Sequence, residues 1–176
     1  MPGTGHSSPI VWGDKVFITQ ATDADKRRTV MCFDKRTGEL LWRSGVTHAK
    51  KETTHKTNPY CSGSPATDGR IVVANFASAG VAAYDLDGQQ LWHRDLGPQE
   101  HEWGSSTSPG TFGDECISYH GPSARAMLYA LDKLTGETRW RTDRSTDFKD
   151  IDEKTGKPAA DGDYRKSYAT PIVIEV

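Results

Sequence analysis

The chain has 176 residues, 35% of them hydrophobic, with a mean hydropathy of −0.68 and a net charge of −2 from 22 basic and 24 acidic side chains. That balance gives no basic footprint for nucleic acid or an anionic membrane surface, and no stretch approaches the roughly 18 apolar residues of a membrane-spanning helix. The composition is lean for a helical bundle, whereas 17 Gly and 9 Pro suit a fold of many short, half-exposed strands joined by turns.

The N-terminal stretch "MPGTGHSSPIV" has neither the basic nor the apolar region of a secretory signal, and Gly3 and Gly5 precede a strand rather than follow one, so no phosphate loop is implied. A Ser-Pro start at Ser8-Pro9 then opens four short extended runs, residues 10–12, 15–19, 29–33 and 39–43. Gly13-Asp14 and residues 35–38 supply the turns between them, and Val, Ile and Phe enrich the runs. The same order returns from Gly63 ("GSPATDGRIVVANF", then "AYDLDGQQLW" at 83–92) and from Thr107 ("TSPGTFGDECISYH", then "ALDKLTGETRW" at 130–140). Between 143 and 163 the acidic stretch "DRSTDFKDIDEKTGKPAADGD" lacks the alternating ligands and Gly of a calcium loop, and it reads as a solvated insertion. A fourth start, "YATPIVIEV", occupies 168–176.

Self-similarity at a step of about 50 residues, with four strands per unit and no sustained helical period, predicts an all-β, incomplete β-propeller of four-stranded antiparallel blades. We expect one domain over 1–176, with blades at about 7–46, 63–97 and 107–144, an insertion at 145–167, and the first strand of a fourth blade at 168–176. Each repeated phrase is then the hairpin between third and fourth strands. Asp34, Asp85 and Asp132 are placed to accept backbone N–H groups of the turn, and Gly38, Gly88 and Gly136 to close it at positive φ. Trp42, Trp92 and Trp140 fall on the outermost strand, where a large ring can be buried against the neighbouring blade.

The spacing Ala130, Asp132, Gly136, Trp140 resembles the tryptophan-docking motif of the pyrroloquinoline-quinone-like (PQQ-like) propeller superfamily. Cys32 stands where Ala is usual, and the second copy is one residue shorter. That superfamily includes quinoprotein dehydrogenases, the propeller lipoprotein of the outer-membrane β-barrel assembly machinery, and bacterial PQQ-binding-like repeat proteins of unassigned role. The resemblance implies a ring of seven or eight blades, so the remaining blades of the same propeller are expected partners, and it implies an exported, periplasmic setting.

Two functions are compatible with such a fold: a noncatalytic binding or scaffold module for a protein, glycan or small ligand, and a fragment of a PQQ-dependent alcohol or sugar dehydrogenase, in which PQQ would carry the redox chemistry beside a calcium site. The first is favoured, with no cofactor and no catalytic residue assigned, because the vicinal cysteine pair of many quinoprotein alcohol dehydrogenases is absent. Cys32, Cys61 and Cys116 are far apart and read as buried small hydrophobes. Metal ligation is not expected: His48 and His55 are seven residues apart, unlike the four of H-E-x-x-H. The loops ahead of each first strand should gather at the channel mouth, which makes His6, His55, Asn58, Tyr60, Glu100, His101, Trp103 and Tyr168 the candidate ligand-binding residues. A competing role for them is to satisfy backbone groups and pack over blade edges.

Overall fold

The computed structural model describes residues 3–24, 26–99, 101–121, 126–143, 154–155 and 167–174. Twelve strands among them form three four-stranded antiparallel sheets, each a meander in chain order. Sheet one holds β1 (Ile10–Trp12), β2 (Lys15–Thr22), β3 (Arg27–Asp34) and β4 (Leu40–Thr47). Sheet two holds β5 (Ala66–Thr67), β6 (Ile71–Asn75), β7 (Val81–Asp85) and β8 (Gln90–Arg94). Sheet three holds β9 (Gly110–Phe112), β10 (Glu115–His120), β11 (Met127–Asp132) and β12 (Thr138–Asp143).

Local chemistry sets the hairpins. Gly13 (φ +58°) and Gly113 (φ +53°) take the first central position of two-residue turns in which Trp12 pairs with Lys15 and Phe112 with Glu115. At the outer hairpins, Asp34 Oδ1 accepts from the N–H groups of Arg36 and Thr37, and Asp132 Oδ1 from those of Leu134 and Thr135. Asp85 Oδ1 does the same for Asp87 and Gln89 in the shorter turn. These donors hold the Asp34 carboxyl below its ordinary value, and Asp132, with Arg139 as its strongest partner, is brought down to about 2.

A bulge follows at one equivalent place in every sheet, between Cys32 and Phe33, Ala83 and Tyr84, and Ala130 and Leu131. It leaves Cys32 opposite Trp42, Ala83 opposite Trp92, and Ala130 opposite Trp140. Directly opposed residues share a face, so the small residue of the phrase leaves room for the indole beside it. Cys32 satisfies that requirement as Ala does.

The sheets are joined by the same contacts used twice. Trp42 Nε1 donates to Leu86 O and Trp92 Nε1 to Lys133 O, both at 2.9 Å. Each ring lies flat enough on the next turn that a Cβ at Gly88 or Gly136 would stand 2.6 or 2.7 Å from it. Ion pairs flank these joints, Lys15 to Asp87 at 3.1 Å and Lys133 to Asp68 at 2.7 Å. Near the first strands the Ser-Pro starts interlock, with Ser8 N–H donating to Ser64 Oγ and Ser64 N–H to Ser108 Oγ.

The apolar core sits between sheets rather than within one. Val72, Ala74, Ala82 and Tyr84 face Phe17, Val30, Cys32 and Val46 of sheet one, while Ile71, Val73, Val81 and Ala83 face Cys116, Tyr129 and Leu131 of sheet three. Alternate residues of β6 thus enter two different interfaces, and all five are buried. Trp92 is 7% exposed and Trp42 is half-buried, whereas Trp140, with no sheet described beyond it, is 41% exposed.

Residues 167–174, which take in most of the 168–176 run expected as the first strand of a fourth blade, pair with no strand among the described residues. A strand is defined by a hydrogen-bonded neighbour. The segment nonetheless runs beside β9, with Pro171 O 3.6 Å from where a Gly110 Cβ would lie. The insertion expected at 145–167 lies outside the described residues except for 154–155 and 167.

Candidate ligand-binding face

The loops that precede the three sheets, together with the 167–174 segment, contact one another in sequence order. His6 Nδ1 meets Thr57 O at 3.2 Å, and the His6 N–H donates to Cys61 O. His55 and Trp103 stack with centroids 4.6 Å apart, and Asn58 Nδ2 donates to Trp103 O. Tyr168 completes the series, its hydroxyl 2.8 Å from His101 Nδ1 and its ring edge-on to the imidazole. His55, Asn58 and Trp103 therefore form one cluster, His101 and Tyr168 another, and His6 is tied to the first through Thr57. Trp103 remains 48% exposed and His6 is exposed, so this face still presents aromatic and imidazole groups to solvent. Glu100 lies outside the described residues.

Tyr60 does something different from its neighbours. Its ring covers the Arg28 guanidinium at 3.7 Å from the centroid, and its hydroxyl both accepts from Glu52 N–H at 2.8 Å and donates to Glu52 O at 2.6 Å. The polar end of Tyr60 is thus occupied by the chain itself. Arg28 is 1% exposed, and the buried Glu52 carboxylate reaches it at 4.0 Å and His48 at 3.8 Å. Beneath them a small recess of about 20 Å³ is lined in part by Arg28, Asn75, Gln99, Ser105 and Thr107. That volume suits about one water molecule and not an organic ligand.

Sequence reasoning missed this buried cluster. "DKRRTV" reads as a charged strand start, and nothing in it distinguishes Arg28, whose side chain points under the 48–60 loop, from its surface neighbours. Gln99 was equally invisible. Its amide donates to Ser105 Oγ and Gly121 O and accepts from His120 Nδ1, fixing that imidazole tautomer.

Burial lowers the His120 pKa from 6.5 to about 4, against smaller opposing effects of Asp95 and the Gly97 backbone. The unfolded imidazole takes up a proton before the folded one. The contribution of His120 to stability should therefore be full above about pH 6.5, fall as the pH drops towards 4, and level off below that value. NMR titration should place the His120 midpoint near 4, and a midpoint at or above 6 would contradict its burial against Gln99 and, edge-on at 6.2 Å between centroids, the Tyr129 ring.

The three cysteines are buried and separate. Desolvation pushes Cys32 up to about 11 and Cys116 to about 12, so neither supplies a thiolate at neutral pH. Among the described residues no three His, Cys, Asp or Glu side chains converge on a metal position. None of the described helices is long and apolar enough to cross a membrane.

Comparison with known proteins places this geometry. Polyvinylalcohol dehydrogenase of a Pseudomonas species is 27% identical over 155 residues, which is 80% of this chain and 23% of that protein. Outer membrane protein assembly factor BamB of Alkalilimnicola ehrlichii is 27% identical over 143 residues, 80% of this chain and 33% of that protein. The chain therefore spans about a quarter to a third of the length of the curated relatives it matches. The crystal structure of quinohemoprotein alcohol dehydrogenase from Comamonas testosteroni superposes with a TM-score of 0.60 at 19% identity, over 81% of this chain and 21% of that one, and shows the shared fold. Residues 1–102 and 77–165 match the family described as outer membrane protein assembly factor BamB, and with three four-stranded antiparallel meanders joined in series the chain belongs to this PQQ-like propeller family.

Proposed function

We propose that the chain is part of a noncatalytic propeller that acts as a binding or scaffold module, presenting the loops ahead of its sheets to a protein, glycan or small ligand. The observation that carries this reading is how the loop side chains are used. The polar groups that could act as base or ligand are engaged by the chain itself, those of His6, Asn58 and His101 in contacts between one loop and the next and that of Tyr60 with Glu52 of its own loop, while the exposed Trp103 platform stays open to a partner. Such a face recognises by shape and stacking rather than by chemistry on a bound substrate. The relationship to an outer membrane assembly factor supports a protein partner and an exported, periplasmic setting.

The second reading is a fragment of a PQQ-dependent dehydrogenase, favoured by the similarity to polyvinylalcohol dehydrogenase. The residues described do not fit that cofactor with its calcium: the cysteines are isolated and no carboxylate cluster converges. Calorimetric titration of the protein with PQQ in excess calcium, paired with a dye-linked alcohol oxidation assay, separates the two readings. The expected result is no saturable heat and no dye reduction. Stoichiometric uptake of PQQ would establish the dehydrogenase reading instead.

A further inference from the structure

Two loops of the binding face are built on one pattern. His55-Lys56-Thr57-Asn58 and His101-Glu102-Trp103-Gly104 are each closed by a main-chain bond from the fourth residue to the first, Asn58 N–H to His55 O at 2.9 Å and Gly104 N–H to His101 O at 3.0 Å. Inside each turn the histidine Nδ1 accepts from the main-chain N–H two positions on, that of Thr57 at 3.3 Å and that of Trp103 at 3.1 Å. A hydroxyl stands at the same nitrogen in both, Thr57 at 2.7 Å and Tyr168 at 2.8 Å.

That arrangement fixes the state of both rings. A main-chain N–H can only donate, so Nδ1 keeps its lone pair, the proton of the neutral imidazole sits on Nε2, and the two hydroxyls donate as well. A proton on Nδ1 would set donor against donor in both turns. Each turn is the imidazole counterpart of an Asx turn, in which a side-chain oxygen accepts from the N–H two residues on.

The two turns dock on each other, and what they hold is Trp103. Its main-chain N–H is taken by His101, its carbonyl accepts from Asn58 Nδ2, its indole N–H donates to Glu102 Oε1 at 3.1 Å, and the His55 ring lies against it with centroids 4.6 Å apart. Gly104, at φ +72°, passes so near the first turn that a Cβ there would stand 3.1 Å from Asn58 O. Trp103 is nonetheless 48% exposed. A large ring whose own polar atoms are all engaged, and which still faces water, loses little freedom when a partner covers it, and tryptophan is among the residue types that dominate binding energy at interfaces.

We propose that His55 and His101 are the positioning residues of this face: as neutral Nδ1 acceptors they shape two equivalent turns, hold them against each other, and present Trp103 as the preformed anchor of the interaction. Tyr168 enters as a donor to His101 and ties its own segment to the second turn. The use of the anchor rests on the binding reading above, whereas the hydrogen bonds that set it do not and are tested in the protein alone.

Long-range nitrogen-15 correlation spectra of the 176-residue chain at about pH 8, where an ordinary imidazole is mostly neutral, report which ring nitrogen carries the proton. Both His55 and His101 should show a bare Nδ1 and a protonated Nε2. In His101→Leu the main-chain N–H of Trp103 should exchange with deuterated solvent at least about tenfold faster than in the unaltered chain. His101→Asn, whose Oδ1 replaces the acceptor, should keep that rate within about threefold. A proton on Nδ1 of either ring overturns the proposal. So does a Leu variant whose Trp103 N–H exchanges as slowly as before, or an Asn variant in which it exchanges as fast as in the Leu variant.

Discussion

Replacing Trp92 by Ala should lower the unfolding free energy by about 3–5 kcal/mol, the range for truncating a well-buried aromatic side chain. The loss has three parts. A ring that is 7% exposed leaves a cavity against Tyr129 and Leu131, the Lys133 carbonyl loses its indole donor, and Gly136 is left with an uncovered turn. The same change at half-buried Trp42 should cost less, and at exposed Trp140 below about 1 kcal/mol, close to an ordinary surface substitution. Urea denaturation of the three variants measures the series directly. Equal losses at all three positions would show that the indoles act within their own sheets and not across the joints.

The second large effect concerns the buried ion cluster. Glu52→Gln should destabilise by roughly 3 kcal/mol, the low end of the range for removing one partner of a buried pair, since the closest approach to Arg28 is 4.0 Å. Arg28 then keeps a positive charge that is 1% exposed beneath the Tyr60 ring. Removing both charges, with Arg28→Met added to Glu52→Gln, should recover a large part of the loss, as it does when a buried pair is replaced by matched neutral groups. A double variant as unstable as the sum of the two single ones would show that the groups do not interact.

The hairpins were legible because their causes are local. Gly13-Asp14 and Gly113-Asp114 dictate a two-residue turn, and the Asp-to-Gly spacing of the outer phrase dictates the next. The strand ends were less so: β2 runs on to Thr22 and β3 begins at Arg27, closed by Asp23 and Ala24 at φ +54° and +51°, residues that carry weak turn signals. The binding face was legible only as a set of loops. That His55 stacks on Trp103 while Tyr60 turns inward onto Arg28 depends on contacts across 48 and 32 positions of sequence, which no local pattern encodes. The apolar run "PIVI" within 168–176 carries the side chains of a first strand, but which strand pairs with it is likewise a matter of contacts distant in sequence.

The repeated phrase is a joint between sheets, and amide-type exchange at the five indole N–H groups tests that role most directly. In a nitrogen-15-labelled sample transferred to deuterated solvent at low concentration, the Nε1–H signals of Trp42 and Trp92 should persist, held by the Leu86 and Lys133 carbonyls of the neighbouring sheets. Those of Trp12, Trp103 and Trp140, on rings 49%, 48% and 41% exposed, should vanish within the dead time. Loss of all five signals at the same fast rate would contradict the joints, and with them the arrangement that leaves the loop face free to bind.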